Sequence, residues 1–157
     1  MTAYSFKKQF IVPICLGLGI PWRIDDLVVV DQSPKLQTIR AGVIRGPYNI
    51  AWSRPKGGRR HAKRGEEVQL YYGMRTKQCW LIGRARCVGV RPITMWFDGD
   101  GDISIMLDGK LLGWRKLRDF ARADGFTDAR AMAAFWKTEN KALKKWEGVV
   151  ITWEPIE

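Results

Sequence analysis

Short apolar runs separated by turn residues dominate the first two thirds of the chain. Runs rich in β-branched and aromatic side chains and bounded by glycine, proline or aspartate are typical of β-strands. The pattern predicts strands at Gln9 to Ile14, Leu27 to Val30, Leu36 to Ile39, Glu67 to Tyr72, Gln78 to Val90, Ile93 to Phe97, Ile103 to Leu107 and Gly148 to Trp153. Hairpin turns are expected at Asp98 to Asp102 and at Asp108-Gly109, and Pro92 is expected to separate two of the strands.

The spacing changes in the last third of the chain. From Trp114 to Asp124 the apolar residues recur every three or four positions, which predicts an amphipathic helix, and Gly125 supplies a C-terminal stop. A second helix is predicted to begin near Thr127 or Asp128, both good N-cap residues, with apolar positions from Met132 to Trp136 on one face. Many short strands followed by two helices predict an α+β fold, a small β-barrel of mostly antiparallel strands with flanking helices.

Length and hydropathy narrow the class of protein. The 157 residues predict a single domain over 1–157 with one hydrophobic core. The longest apolar runs fall far short of the ~20 residues that cross a bilayer, so no membrane partner is expected. Near the N-terminus two lysines precede an apolar stretch, but glycines, Pro21 and Arg23 interrupt it, so a signal peptide is not expected and the predicted location is cytoplasmic.

Charge is concentrated in one segment. The chain carries a formal net charge of +11, and nine of its lysines and arginines lie between residues 32 and 65, where there is no acid. Such a segment can be a solvated loop that only aids solubility. However, Tyr48 and Trp52 lie among the cations, and cations with aromatic rings suit a polyanion that carries bases. The sequence therefore favours a nucleic acid or nucleotide as the partner.

Cysteine and histidine spacing predicts neither a disulfide nor a metal site. The three cysteines (Cys15, Cys79, Cys87) form no C-x-x-C pair and there is one histidine, His61. Cys79 and Cys87 lie in apolar strand-like sequence, where a reduced cysteine is expected to be buried. Residues 98–102 (DGDGD) open like a calcium loop, but isoleucine and glycine occupy its sixth and twelfth positions, so a hairpin is favoured. No cofactor is predicted.

Four stretches, in this order, resemble an ASCH domain of the PUA-like superfamily. They are residues 35–41 (KLQTIRA), 60–77 (RHAKRGEEVQLYYGMRTK), 120–126 (FARADGF) and 148–153 (GVVITW). In the family signature G-x-K-x-x-[ET]-x-R, the last three fixed positions are Lys35, Thr38 and Arg40, and Ser33 replaces the glycine. Relative to the family, residues 18–32 and 42–58 read as insertions. The resemblance implies a PUA-like β-barrel with a cleft that binds RNA or modified nucleosides.

The same resemblance implies a catalytic set. Bacterial N4-acetylcytidine amidohydrolases of this family use a lysine, a threonine three residues later and an acid near the end of a later helix, and Lys35, Thr38 and Asp124 match these positions. Amide hydrolysis needs a nucleophile, a base and a proton source, which these three side chains can supply. Residues three apart in a strand face opposite sides, so Lys35 and Thr38 can cooperate only if the backbone bends between them.

Other interpretations of these residues stay open. Asp124 before glycine also fits a turn that ends a helix, and threonine is a good strand residue. Of the tryptophans, Trp80, Trp114, Trp136 and Trp153 are expected in the core, and Trp52 is expected to stack on a base. The residues expected to bind nucleic acid are Arg40, Trp52, Arg54, Arg59, Arg60, Lys63, Arg64 and Tyr72.

Three functions are consistent with the sequence. The first is binding of nucleic acid or a modified nucleoside in a basic cleft. The second is an amidohydrolase that removes an acyl group from N4-acetylcytidine or a similar nucleoside. The third is a protein-interaction module that uses the basic segment on an acidic partner.

Overall fold

The structure, a computed structural model, describes residues 2–20, 33–41, 43–45, 51–53, 61–98, 101–139 and 144–156, with the backbone alone described for 43–45 and 51–53. The strands are β1 (Thr2–Phe6), β2 (Gln37–Arg40), β3 (Val43–Arg45), β4 (Ala51–Ser53), β5 (Glu67–Tyr72), β6 (Trp80–Phe97), β7 (Ile103–Leu107), β8 (Lys110–Leu111) and β9 (Lys145–Pro155). The helices are a 3-10 turn (Lys8–Phe10), α1 (Ile11–Leu18), α2 (Trp114–Ala123) and α3 (Ala129–Glu139).

Seven of the strands form one mixed sheet. Its main path runs β1-β5-β6-β9-β2, and β7 and β8 branch from β6. The β1–β5 pair is parallel and the other pairs are antiparallel. β1 and β2 stand at the two ends of the path and do not pair with each other, so the sheet is not closed into the predicted barrel. The α+β class is confirmed, whereas barrel closure is wrong because a gap remains between β1 and β2.

Most of the regular elements predicted after residue 66 are confirmed. β5 and β7 have the predicted bounds, and the two late helices lie within one or two residues of prediction. Asp128 caps α3, because its carboxylate accepts the Ala131 N–H at 2.7 Å. At Asp108-Gly109 both residues have positive φ (55° and 78°), as a type I′ hairpin requires.

The N-terminal prediction is wrong. Residues 8–18 are helical, and the first strand is Thr2–Phe6, which lies before the predicted strand at Gln9 to Ile14. An uninterrupted apolar run has no period that separates a strand from a buried helix, and α1 (IVPICLGL) is such a run. Leu27 to Val30 lies outside the described residues. The prediction that Pro92 separates two strands is also wrong. β6 continues through Pro92, and around this residue β6 pairs only with β9.

The core is built from the inner faces of the sheet and from the helices packed on it. Trp153 is fully buried and Trp136 packs partly against the core, as expected, but Trp80 and Trp114 are 38% and 69% exposed. Trp114 is the first residue of α2, and its ring contacts the guanidinium groups of Arg115 and Arg118 at the surface.

Burial of the cysteines is confirmed only in part. Cys87 is buried in β6, whereas Cys79 is exposed at the end of the β5–β6 turn.

None of the helices in the described ranges is long and apolar enough to cross a bilayer.

A Schellman motif ends α2 at the centre of the molecule. The Phe126 N–H donates to the Ala121 carbonyl, the Gly125 N–H donates to the Arg122 carbonyl, and Gly125 has φ 92°. A Cβ atom at Gly125 would lie 3.2 Å from the Lys35 side chain and 3.3 Å from Phe10. Glycine at this position therefore allows both the left-handed turn and the close approach of Lys35.

We expect Gly125→Ala to be more destabilising than Gly101→Ala. Both glycines have φ 92°, but a Cβ at Gly101 has no neighbour within 4 Å among the described residues. Gly101→Ala should cost about 1 kcal/mol for the left-handed conformation. Gly125→Ala should cost about 1 to 3 kcal/mol more for overpacking. Urea unfolding measures both losses, and equal losses would show that Lys35 does not pack against Gly125.

Candidate functional site

A cavity of about 290 Å³ opens at the gap between the two ends of the sheet. β1 contributes Ser5 and Phe6, and β2 contributes Thr38, Ile39 and Arg40. The rest of the lining is Lys7, Phe10, Lys35, Asp124, Phe135, Trp136 and Glu139. The failure of β1 and β2 to pair therefore leaves a concave site instead of a closed core.

Lys35 enters the cavity from an irregular segment that precedes β2. Its N–H donates to the Pro13 carbonyl at 2.8 Å, and the Leu36 N–H donates to the Ala123 carbonyl at 2.9 Å. The segment lies so close to α1 that a Cβ atom at Gly17 would be 2.4 Å from the Lys35 carbonyl oxygen. Since β2 begins only at Gln37, strand alternation does not separate Lys35 from Thr38, and both side chains line the cavity.

Lys35 and Asp124 form a buried ion pair. The Lys35 Nζ lies 2.8 Å from the Asp124 Oδ1 and also donates to the Asp124 main-chain carbonyl. The two side chains are only 3% and 5% exposed. The Lys35 Nζ also lies 4.6 Å from the centre of the Phe10 ring and 5.7 Å from that of Phe6, so aromatic faces complete its surroundings. Asp124 thus ends α2, as its position before glycine indicated, and also binds Lys35.

Burial shifts the pKa values of both members of the pair. Desolvation lowers the pKa of the Lys35 ammonium below its ordinary value, and attraction to Asp124 partly opposes that shift. Desolvation likewise raises the pKa of the Asp124 carboxyl, again against the attraction of Lys35. Both shifts reduce the free-energy advantage of the ion pair over the neutral amine and neutral acid.

Arg40 links the two ends of the sheet. Its Nε donates to Thr38 Oγ1 at 3.1 Å, and its Nη2 donates to the Ser5 carbonyl on β1 at 2.8 Å. The guanidinium carbon lies 5.1 Å from the centre of the Phe6 ring and 5.4 Å from that of Tyr4. The hydroxyl of Thr38 is thus oriented by Arg40, whereas the amino group of Lys35 is oriented by Asp124.

The apolar part of the cavity comes from residues that the sequence did not identify. Phe6, Phe10 and Phe135 supply aromatic faces, and Phe10 and Phe135 pack edge to face at 5.4 Å. Lys7 and Glu139 form an exposed ion pair in the lining. Phe6 lies in β1, where no element was predicted, and Phe10 lies in a helical segment that was predicted as a strand, so neither carried a usable signal.

The residues expected to bind nucleic acid fall into three groups. Arg40 lines the cavity. Lys63 and Arg64 are exposed and Tyr72 is half-buried against Trp80, and these three do not line it. The side chain of Trp52, together with Arg54, Arg59 and Arg60, lies outside the described residues, so the predicted cover of the cavity by the basic segment is not tested there.

Within the described ranges no three His, Cys, Asp or Glu side chains are grouped closely enough to hold a metal ion.

Comparison with known proteins finds no matching family model, curated sequence or solved structure at a significant level. The chemistry of the cavity and the motif resemblance are therefore the two observations from which a function can be inferred.

We expect loss of one member of the buried pair to cost more than replacement of both. Lys35→Met or Asp124→Leu alone leaves an unpaired buried charge and should lower the free energy of unfolding by about 3 to 5 kcal/mol. The double variant should cost less than either single one, because an apolar pair of similar volume leaves no charge behind.

Urea unfolding at neutral pH measures these losses, with Glu147→Gln as the control. Glu147 pairs with Lys145 at 3.2 Å, but both side chains are more than half exposed. Its loss should cost about 0 to 1 kcal/mol. Single variants at Lys35 and Asp124 that are as stable as this control would contradict the buried pair.

Proposed function

We propose that the chain is an ASCH-type domain that binds a modified nucleoside, free or within RNA, in the cavity between β1 and β2. One observation carries the proposal: Lys35, Thr38, Asp124 and Arg40, which the motif resemblance singles out, line the same cavity as three phenylalanines. The sequence separates these polar residues by up to 89 positions, so their convergence is a property of the fold.

The composition of the cavity suits a nucleobase. Its volume of about 290 Å³ is at the small end of ligand pockets, which matches a single base with part of its sugar better than a larger ligand. Aromatic faces can stack on a planar base, while a hydroxyl, a carboxyl and an ammonium group can bind its polar edge. The charges of Lys35 and Asp124 balance, which favours an uncharged group beside the pair.

Calorimetric titration with N4-acetylcytidine tests this function. We expect the wild-type protein to bind it, and Thr38→Val to weaken binding about tenfold through loss of one hydrogen-bonding hydroxyl. Thr94→Val is the control, because Thr94 is a half-buried threonine that also lies in a strand but does not line the cavity. Absence of binding to N4-acetylcytidine, cytidine and uridine would contradict the proposal.

A second function, hydrolysis of an acylated nucleoside, is favoured by the buried pair beside Thr38. Thr38 Oγ1 would attack the acyl carbon while the neutral Lys35 amine takes the hydroxyl proton. The C–N bond would break as protonated Asp124 gives its proton to the leaving nitrogen, and the acyl group would remain as an ester on Thr38. Water would then release the carboxylic acid and restore the hydroxyl, and Lys35 would return its proton to Asp124 across the 2.8 Å contact.

Two further features bear on this reaction. Arg40 has N–H groups beyond those that it donates to Thr38 and Ser5, and these can stabilise the oxyanion. Lys35 donates to Asp124, so transfer from Thr38 requires rotation of the lysine side chain toward the hydroxyl.

The hydrolase predicts release of cytidine and acetate from N4-acetylcytidine, measured by chromatography. Lys35→Arg should abolish turnover, because a guanidinium keeps the positive charge but does not act as a base at neutral pH. Lys110→Arg, at an exposed position outside the cavity, is the matched control. The wild-type rate should have a bell-shaped pH dependence around the lowered pKa of Lys35 and the raised pKa of Asp124. At low pH both groups are protonated and the base is lost, whereas at high pH the pair has lost the proton that the leaving nitrogen needs. No turnover by the purified wild-type protein would eliminate this function and leave the binding function standing.

A further inference from the structure

A second concave space adjoins the cavity at Arg40. It has a volume of about 340 Å³, and Ser5 and Arg40 line both spaces. Its other lining residues are Thr2, Ala3, Tyr4, His61, Met74 and Arg75. We refer to these eight residues as the Arg75 groove. It plays no part in the function proposed above.

The groove differs from the cavity in its balance of charge. In the cavity, Lys35 pairs with Asp124 and Lys7 pairs with Glu139, so Arg40 is the cation left without an acidic partner among its described lining residues. The described lining of the groove contains two arginines, Arg40 and Arg75, and no acid. A ligand that spans both spaces would therefore place an uncharged part in the cavity and an anionic part in the groove.

Arg40 is able to bind such an anion. In the described part of the chain it makes two hydrogen bonds, to Thr38 and Ser5, so three of its five N–H groups remain available. Its position is fixed by those bonds and by the Phe6 and Tyr4 rings. A guanidinium that is held in place loses little conformational entropy when it binds a phosphate oxygen.

Arg75 has a strained backbone that its surroundings maintain. Its φ of 70° is rare for a residue with a side chain and costs about 1 kcal/mol or more. The turn that carries it is bonded to β1, since the Met74 N–H donates to Ser5 Oγ at 3.0 Å and the Gly73 N–H donates to the Phe6 carbonyl at 3.3 Å. Among the described residues the Arg75 guanidinium has no ion pair, so its cation is presented to the groove without an internal partner.

Part of the basic segment has its two ends close together beside the groove. The His61 ring, which lines the groove, bonds through Nε2 to the Ala41 carbonyl at 2.6 Å. The chain between these two residues carries five further lysines or arginines and no acid. Both ends of this cationic stretch are therefore close to Arg40, which directly precedes Ala41.

We propose that the Arg75 groove binds the phosphate attached to the nucleoside whose base occupies the cavity. This inference rests on the proposed function and deepens it: the ligand is a nucleotide, free or within a strand, and not a bare nucleoside. Arg40 contacts both parts of the ligand, and Arg75 contacts the phosphate alone.

The test compares the affinities of five probes by calorimetry at one salt concentration. They are N4-acetylcytidine, its 5′-monophosphate, its 3′-monophosphate, a trinucleotide with N4-acetylcytidine at the centre, and ribose 5-phosphate. At least one monophosphate should bind about tenfold more tightly than the nucleoside, as one added charge-assisted contact predicts. A further gain with the trinucleotide would identify a strand as the ligand, and equal affinities would identify a free nucleotide.

Arg75→Gly is the diagnostic variant. Glycine relieves the positive φ, so the variant should be at least as stable as the wild type, yet it should lose the roughly tenfold preference for the phosphorylated probes. Asp108→Gly makes the same backbone change at another turn residue with positive φ, and Lys110→Ala removes an exposed cation outside both spaces. Both controls should retain the preference.

The outcomes separate the two proposals. Equal affinity for nucleoside and monophosphates would overturn the groove and leave the cavity function intact. Arg75-dependent binding of ribose 5-phosphate, without binding of N4-acetylcytidine, cytidine or uridine, would support the groove and overturn the cavity function. A preference that Arg75→Gly leaves unchanged would overturn the groove, and failure of all five probes to bind would overturn both.

Discussion

The buried contact between Lys35 and Asp124 is the interaction on which the site depends. It connects the segment before β2 to the C-terminal end of α2, 89 residues later in the chain. Two charged groups at 3% and 5% exposure are stable only together, because either one alone would lose its hydration without compensation. Gly17 and Gly125 serve this contact, since a side chain at either would push the lysine segment away from the helices.

The incomplete sheet turns this contact into a site. If β1 and β2 paired along their length, the space beside Lys35 would be filled by the ladder and its side chains. Instead a single side chain, Arg40, spans the gap through its bond to the Ser5 carbonyl. An arginine can close such a gap and still donate to a ligand, which a backbone ladder cannot do, because both partners of each of its hydrogen bonds are already used.

Local pattern predicted the elements whose structure is decided locally. β5 and β7 alternate buried and less buried residues, and α2 buries Phe120 and Ala121 on one face, so their periods were visible in the sequence. β1 was missed because its five residues (TAYSF) gain their stability from pairing with β5, more than 60 positions away. Trp114 was misplaced because periodicity gives the face of a helix but not where the helix first meets the core.

Of the residues that line the cavity, only those of the sequence motif could be predicted as site residues. Spacing and resemblance identified Lys35, Thr38, Arg40 and Asp124, and the bend before Gln37 that brings Lys35 and Thr38 together is set by bonds to Pro13 and Ala123 that no local pattern reveals. Phe10 was hidden by the incorrect strand prediction, Phe6 lies in the strand that was missed, and Phe135 was predicted only as an apolar position of the second late helix. The Arg75 turn had the composition of an ordinary connection between strands, and its attachment to Ser5 depends on the parallel pairing of β1 with β5.

The arrangement of charge follows from these constraints. The buried charges of Lys35 and Asp124 neutralise each other, so this part of the cavity is polar but has no net charge. Arg40 can remain without an acidic partner because it lies where the sheet opens to a second space, whose described lining contains no acid. A ligand with one neutral planar part and one anionic part satisfies both environments at once. A charge on the part of the ligand in the cavity would disturb the charge balance of Lys35 and Asp124. A ligand without an anionic part would leave Arg40 and Arg75 without a contact from the ligand. The two spaces therefore discriminate by the position of charge on a ligand more than by its total.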